Sequence, residues 1–328
     1  SSILYPLLIA ATLALGLTIW GPLLIGVAAS AASSWLMAGI FWTSCIAEQR
    51  RAVVVAAYVV LPVLLISANL VAIPFLGMEH PLHILATLMV ASGFMKLSDA
   101  GPVPNRLVAG LILCPLLRFE GIALTLAGLL ALWAYRRFRA IFLVALVLVV
   151  AFSAHVFTMT SLGLPWLPSS VLVKSNSSAA VFAGDSLGTL ASLIANLLLS
   201  FKINMGLILA LGAGLVLFAL SVETPTKQRL ALGFLAIAVA AAHMTAGQFG
   251  WFGRYEVYAV AFLVVVLLSL FGTRLFPKGG NAAIGALGLI ALLGTAGSDY
   301  LWRTAITASA AHGIYGQHYQ MHRFATDY

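Results

Sequence analysis

A small number of charged residues lie between long apolar stretches, and four of them form two close pairs along the chain. Arg118 is two residues from Glu120, and Arg254 is two residues from Glu256. A guanidinium group binds phosphate or carboxylate through paired hydrogen bonds, and a neighbouring glutamate can orient it. These spacings indicate a site for an anionic group. The alternative is structural, with Arg118 neutralised by Glu120 at a helix turn and Arg254 anchoring the membrane interface beside Tyr255.

A lone lysine lies in a long predicted loop that carries prolines. Residues 161–186 (SLGLPWLPSSVLVKSNSSAAVFAGDS) contain two prolines, a cluster of serine and asparagine, and Lys174 as their only basic residue. Long ordered loops are often functional, and an ammonium group can neutralise a phosphate. Lys174 is therefore a second candidate for phosphate binding, with a solvated loop lysine as the alternative.

The histidines do not form a recognisable metal site. Residues 79–83 read EHPLH, in which the glutamate and the proline suit the first turn of a helix. The two histidines of that stretch are three residues apart, and His318 and His322 are four apart; neither pair is a full ligand set for zinc. We therefore predict no metal ligands, and nothing in the sequence supports a divalent metal. His155 and His243 lie inside apolar runs. They are interpreted either as proton-relay residues or as packed, hydrogen-bonded histidines.

The composition shows what kind of protein must position these residues. Of the 328 residues, 62% are hydrophobic and only 8% are charged, whereas a soluble domain carries about 25% charged residues. The mean hydropathy is +1.08. These values exclude a soluble enzyme, a disordered chain and a disulfide scaffold, and they indicate an all-α integral membrane protein. Cys45 and Cys114 lie in apolar runs and are interpreted as small buried residues.

Apolar runs predict a bundle of about ten transmembrane helices, because a helix needs about 20 apolar residues to cross a bilayer. Residues 3–19 are apolar but precede a Gly-Pro turn, so they form either a span or a half-buried helix in one leaflet. The other runs are 22–47, 52–75, 82–95, 107–117, 122–135, 140–160, 203–222, 230–249, 257–273 and 279–297.

The net charge of +8 is interpreted as a topology signal and not as a nucleic-acid site. Eleven of the 17 basic residues fall in short loops that alternate along the chain and are predicted to be cytoplasmic. Those loops lie around residues 48–51, 96–106, 136–139, 223–229 and 274–278. The candidate site residues then share the opposite, outward-facing side.

The predicted organisation is a transmembrane module over residues 1–297 followed by an extracytoplasmic segment over 298–328. The outward-facing loop of about 161–186 leads into a predicted amphipathic helix at about 187–201, which would lie on the outer face. We expect the functional loops on this side and plain connectors on the cytoplasmic side.

Taken in order, several stretches resemble the GT-C type membrane glycosyltransferases, in particular the bacterial arabinofuranosyl- and mannosyltransferase-like group. Residues 77–82 (GMEHPL) are similar to its G-M-E-x-P-L stretch, and 117–121 (LRFEG) are similar to R-P-E-G, with Phe119 in place of the usual proline. Residues 164–174 are similar to a loop L-P-N-(S/T)-x-x-x-K, with Ser169 where asparagine is common. Further similar stretches are 1–5 (SSILY) at the start, 253–255 (GRY) before a late span, and 314–324 as the link to a C-terminal extracytoplasmic domain.

This resemblance implies an inverting transfer of a hexosyl or pentosyl group from a polyprenyl-phosphate sugar to an extracytoplasmic glycan, lipid or protein acceptor. It implies a bacterial plasma membrane location with the active site facing outward. Lys174 and Arg254 would bind the donor phosphate, while Arg118, Glu120, Glu79, Tyr255 and Glu256 would shape the pocket. The catalytic base of the family is an aspartate in its first outer loop, which we expect upstream of Ser1, and a C-terminal domain is expected downstream.

Two other classes of function fit parts of the sequence. A transporter or flippase for an anionic lipid or solute would use the same cations, and it would also place ionisable residues deep in the bundle. A non-catalytic membrane scaffold would not depend on Lys174 or Arg254. The sequence has no Walker loop, GxSxG, HExxH or CxxC motif.

Overall fold

The computed structural model describes residues 2–17, 20–45, 58, 60–66, 68–165, 184–222, 225–249 and 255–275, and a few isolated positions after residue 300. All regular secondary structure in these residues is helical. The helices are α1 (Leu4–Ala14), α2 (Trp20–Cys45), α3 (His80–Phe94), α4 (Asn105–Leu117), α5 (Gly121–Ala134), α6 (Phe138–Ser161), α7 (Ser186–Ser200), α8 (Asn204–Val222), α9 (Lys227–Ala246) and α10 (Val257–Leu275). A short 3₁₀ helix covers Ile73–Leu76, and residues 60–66 are also helical.

Four of these helices are long enough and apolar enough to cross a membrane. They are α2, α6, α8 and α9, whose apolar spans have between 19 and 25 residues. Helices α1, α3, α4, α5 and α7 and the apolar part of α10 are shorter. The described residues therefore fit an all-α integral membrane protein with four candidate spans, and they do not confirm the bundle of about ten spans that the apolar runs predict.

Two of the predicted runs differ from simple spans. The run 52–75 is not one helix, because Asn69 adopts a left-handed φ of 51° and a 3₁₀ turn containing Pro74 follows. Helix α1 has 11 residues, about 16 Å, and cannot cross a hydrocarbon core of about 30 Å. Gly16, at φ 75°, turns the chain after α1. Of the two possibilities for residues 3–19, the structure shows the short helix.

Three of the short basic loops, around residues 96–106, 136–139 and 225–229, meet at one end of the bundle, which we call the inner end. Arg137 donates a 2.6 Å hydrogen bond to the carbonyl oxygen of Asp99. The ammonium group of Lys227 lies 3.2 Å from the carboxylate of the same Asp99. The loops after α3, after α5 and before α9 are thus joined, and the charge distribution predicts that this end is cytoplasmic.

Helix α3 is the centre of the bundle and packs against α2, α4 and α10. Twelve of its 15 residues are buried, so polar side chains at its start are necessarily buried as well. Close packing with α4 depends on Gly110, where an added Cβ would lie 2.8 Å from the carbonyl oxygen of Ala86. Small residues at such crossings let two backbones approach in a membrane bundle.

Helix α7 covers the stretch for which an amphipathic helix is predicted. Its exposed face is apolar and includes Leu187, Leu190, Ile194 and Leu198. On the other face, the amide of Asn196 donates to three carbonyl oxygens at the C-terminal end of α9, at 2.9, 3.0 and 3.5 Å. These bonds satisfy backbone groups that the end of a helix leaves unpaired.

Candidate functional site

At the end of the bundle opposite the inner end, a buried arginine binds two glutamates. Nη1 of Arg118 lies 2.7 Å from Oε1 of Glu79, and its Nη2 lies 2.6 Å from Oε1 of Glu120. Nη1 is also 3.3 Å from Nε2 of His80, and the guanidinium carbon lies 5.4 Å from the centre of the Tyr255 ring. We call these five residues the Arg118 cluster. Both terminal nitrogens of the Arg118 guanidinium are bound by glutamates of this cluster, so Arg118 acts there as a positioning residue.

The cluster forms because the segment before α3 and the turn between α4 and α5 lie at the same end of the bundle. Glu79 immediately precedes α3, and Pro81 occupies the first turn of that helix, where its missing N–H is not needed. Arg118 follows α4 in an extended conformation, with φ −153° and ψ 138°. The chain then enters α5 at Gly121, where an added Cβ would lie 2.4 Å from the carbonyl group of Cys114. This tight α4–α5 turn directs Arg118 and Glu120 towards the start of α3.

The N-terminal segment packs against the same end. The backbone N–H of Ile3 donates a 3.0 Å hydrogen bond to the carbonyl oxygen of Leu116. The hydroxyl of Tyr5 donates a 2.8 Å hydrogen bond to the carbonyl oxygen of Gly77. Residues 2–5 therefore link the two segments that carry Arg118 and Glu79.

The Arg118 cluster lies below the end of α6. The rings of Phe119 and Phe152 are in contact, with their centres 5.9 Å apart. Phe152 is nine residues before the end of α6 at Ser161, which corresponds to about 13 Å of helix. The turn that carries Arg118 is therefore recessed relative to the longest neighbouring helix.

Burial and charge together determine the protonation of the cluster. The side chains of Arg118 and Glu79 are 3% and 8% exposed, and that of Glu120 is 30% exposed. Burial alone would raise the pKa of Glu120, but the charge and hydrogen bond of Arg118 outweigh it and lower that pKa to about 2. Burial opposes the charge of Arg118, yet the two carboxylates raise its pKa above the usual value. The Arg118–Glu120 pair is therefore ionised at neutral pH.

This protonation state predicts an acid-dependent loss of stability. The pKa of Glu120 falls from its ordinary value of 4.5 in the unfolded chain to about 2 in the folded protein, so its contribution to stability is complete above pH about 4.5. We expect that contribution to be lost as the pH falls from about 4.5 to about 2. Unfolding temperatures measured across this range should fall more steeply for the wild-type protein than for Glu120→Gln. If the unfolding temperatures of the two proteins fall in parallel with pH, Arg118 does not stabilise the ionised form of Glu120.

A second group of polar side chains lies one helical turn deeper than the cluster. His83 follows Glu79 by one turn of α3, and its ring packs on that of Tyr258 of α10 with centres 4.4 Å apart. The hydroxyl of Tyr258 lies 3.4 Å from Nδ1 of His243 of α9. All three side chains are buried, at 1–3% exposure. We call them the histidine–tyrosine layer.

The structure brings together most of the residues predicted for the pocket. Glu79, Arg118, Glu120 and Tyr255 form the cluster described above. Glu256 is fully buried next to Tyr255, and its carbonyl oxygen accepts hydrogen bonds from the first turn of α10. Lys174 and Arg254, the predicted phosphate partners, lie outside the described residues.

Sequence reasoning did not connect His83, His243 and Tyr258. A usable signal was present in α3, where His80, His83 and Thr87 recur at spacings of three and four and so share one helix face. The described residues contain no group of three or more His, Cys, Asp or Glu side chains that could hold a metal ion. His155 lies half-buried on α6 and outside the layer.

Comparison with known proteins gave no relative for this chain. No family model, no curated protein and no solved structure matches it.

Proposed function

We propose that this protein is a membrane-embedded glycosyltransferase that moves a sugar from a polyprenyl phosphate to an extracytoplasmic acceptor. The observation that supports it is the convergence of stretches that are far apart in the sequence. Residues 2–5, 77–80, 116–120 and 255–256 all meet at the Arg118 cluster. They overlap four of the stretches that resemble the glycosyltransferase motifs, namely 1–5, 77–82, 117–121 and 253–255.

The reaction needs a cation at the donor phosphate and a base at the acceptor. The bond between the anomeric carbon and the phosphate oxygen breaks, the acceptor oxygen bonds to that carbon, and the acceptor proton passes to a carboxylate. The departing phosphate gains charge, which a fixed cation stabilises. Arg118 is already bound by Glu79 and Glu120, so Lys174 and Arg254 are assigned to the phosphate.

The carboxylates of the cluster have a binding role in this scheme. A carboxylate is an efficient general base when its pKa is near the working pH, and the pKa of Glu120 is about 2. Glu120 is therefore a weak base and a strong hydrogen-bond acceptor. Glu79, held by the same guanidinium, is likewise placed to accept hydrogen bonds from sugar hydroxyls.

The phosphate assignment is tested by lipid binding in nanodiscs. We expect Lys174→Ala and Arg254→Ala each to weaken binding of polyprenyl phosphate about 10- to 100-fold, since a charged hydrogen bond contributes about 1.5–3 kcal/mol. The matched control is Lys202→Ala, which removes an exposed lysine just before α8. Polyprenol, which lacks the phosphate, should bind weakly to all four proteins.

Two results would contradict the proposal. Equal binding of polyprenyl phosphate and polyprenol by the wild-type protein would remove the phosphate site. Unchanged binding in both variants would remove Lys174 and Arg254 from that site, even if the phosphate itself is recognised.

Transport of an anionic lipid is the second candidate function, and the buried carboxylates favour it. As whole residues, Glu79 and Glu256 are 6% and 0% exposed, and buried ionisable groups in a membrane protein often mark substrate pathways. A transporter would move polyprenyl phosphate between the leaflets of a vesicle without an acceptor. A glycosyltransferase would leave the lipid in place and release polyprenyl phosphate only when an acceptor is supplied.

A further inference from the structure

Four buried polar atoms at the site end have no hydrogen-bond partner within the described part of the chain. They are Nε of Arg118, Oε2 of Glu120, Nε2 of His83 and Nε2 of His243. Unpaired buried polar atoms are uncommon in folded proteins, and each costs free energy unless a water or ligand satisfies it. Their concentration in one region indicates that something polar binds there.

These four atoms belong to one connected group of side chains. Arg118 is ion-paired with both Glu120 and Glu79, and His83 follows Glu79 by one turn of α3, with its backbone N–H bonded to the Glu79 carbonyl oxygen. The Tyr258 ring lies against both imidazoles, with ring centres 4.4 Å from His83 and 5.6 Å from His243. The Arg118 cluster and the histidine–tyrosine layer thus form the two sides of a single polar region.

The unpaired atoms determine which chemistry can satisfy them. Nε of Arg118 carries a hydrogen and needs an acceptor, whereas Oε2 of Glu120 needs a donor. An imidazole nitrogen can take either role, depending on its tautomer. A hydroxyl group is both donor and acceptor, so a ligand with several hydroxyls can satisfy all four atoms.

The charges around the unpaired atoms further restrict the class of ligand that can bind. A phosphate placed here would meet the carboxylates of Glu79 and Glu120, which already occupy the guanidinium. A cation would meet the guanidinium of Arg118. The favoured ligand is therefore neutral and rich in hydroxyl groups.

We infer that the Arg118 cluster and the histidine–tyrosine layer form a binding site for a neutral sugar ring. This inference rests on the proposed function and adds a subsite to it, separate from the phosphate partners. The ring hydroxyls donate to Glu120 and accept from Arg118, while His83 and His243 bind hydroxyls on the deeper side. Tyr258 contacts both imidazoles and so holds them in position beside the sugar.

The test compares lipids that differ only in the sugar. Purified protein in nanodiscs is titrated with polyprenyl phosphate and with polyprenyl-phosphate pentoses and hexoses. We expect at least one sugar to tighten binding about tenfold or more in the wild-type protein. In His83→Phe and His243→Phe, the sugar-bearing lipid should bind only as tightly as polyprenyl phosphate, whose own affinity stays unchanged.

Two further variants separate a lost contact from a damaged fold. His243→Gln places an amide near the position of Nε2 and should retain part of the tenfold gain. Tyr135→Phe, which removes the hydroxyl of a largely buried tyrosine at the inner end, should retain all of it. Each variant is compared with the wild-type protein by its unfolding temperature.

Methyl glycosides at millimolar concentrations provide an independent probe and distinguish a donor ring from an acceptor ring. If the site holds the donor ring, the sugar tightens binding of the lipid that carries it. If the site holds the acceptor ring, a free methyl glycoside raises the unfolding temperature of the protein. His243→Phe should abolish either effect. The inference is overturned if no sugar on either carrier binds, which would leave only buried water at these atoms. It is also overturned if the gain survives in both phenylalanine variants. If the wild-type protein binds methyl glycosides but does not prefer polyprenyl phosphate to polyprenol, the proposed function is contradicted and the sugar site is not.

Discussion

Replacing Arg118 by methionine is expected to lower the free energy of unfolding by about 3–5 kcal/mol, the usual cost of removing one partner from a buried ion pair. The variant leaves the carboxylates of Glu79 and Glu120 without the cation that lies 2.7 and 2.6 Å away. Glu120 would then have to take up a proton or move towards water, and Glu79 would lose its 2.7 Å bond to the guanidinium. Reversible unfolding in mixed detergent micelles measures the change.

The control removes all three charges together. In Arg118→Met with Glu79→Gln and Glu120→Gln, both ion pairs of Arg118 are removed whole, and replacing a whole buried pair is often close to neutral. We expect most of the lost stability to return, although the sugar-binding gain should not. If the single variant is as stable as the wild-type protein, the cluster is solvated and the ion pairs do not hold the α4–α5 turn to α3.

The helices that face lipid were the most predictable part of the fold. The apolar runs 140–160 and 203–222 correspond closely to α6 and α8, because a lipid-exposed segment must satisfy all of its backbone groups within its own helix. The prediction of one continuous span over 52–75 was wrong, because the apolar composition of this run gives no sign of the break at Asn69 and Pro74. Hydropathy measures solvation and carries little information about a turn enclosed by other helices.

The site was predictable only where its contacts are local in the chain. Arg118 and Glu120 are two residues apart, so their pairing follows from the sequence. Glu79 is 39 residues from Arg118, and the two meet only because α3 packs against α4. The layer formed by His83, Tyr258 and His243 depends on three separate helices and has no local pattern beyond the polar face of α3.

The same dependence on packing makes Gly121 critical, although it has no functional group. We expect Gly121→Ala to lower the free energy of unfolding by about 2–3 kcal/mol, at the upper end of the usual cost of overpacking. The new Cβ would lie 2.4 Å from both atoms of the Cys114 carbonyl group, and backbone cannot move aside as a flexible side chain can. The α4–α5 turn must open, which separates Arg118 from Glu79, so binding of the sugar-bearing lipid should weaken as well.

Gly214 provides the matched control because it is also a helical glycine, on the exposed side of α8. A Cβ there meets open space, and alanine favours a helix over glycine by about 0.8–1.0 kcal/mol. Gly214→Ala should therefore be neutral or slightly stabilising and should leave lipid binding unchanged. If Gly121→Ala behaves in the same way, the turn has room for a methyl group. The position of Arg118 then depends on its ion pairs and not on the close approach of α5 to Cys114.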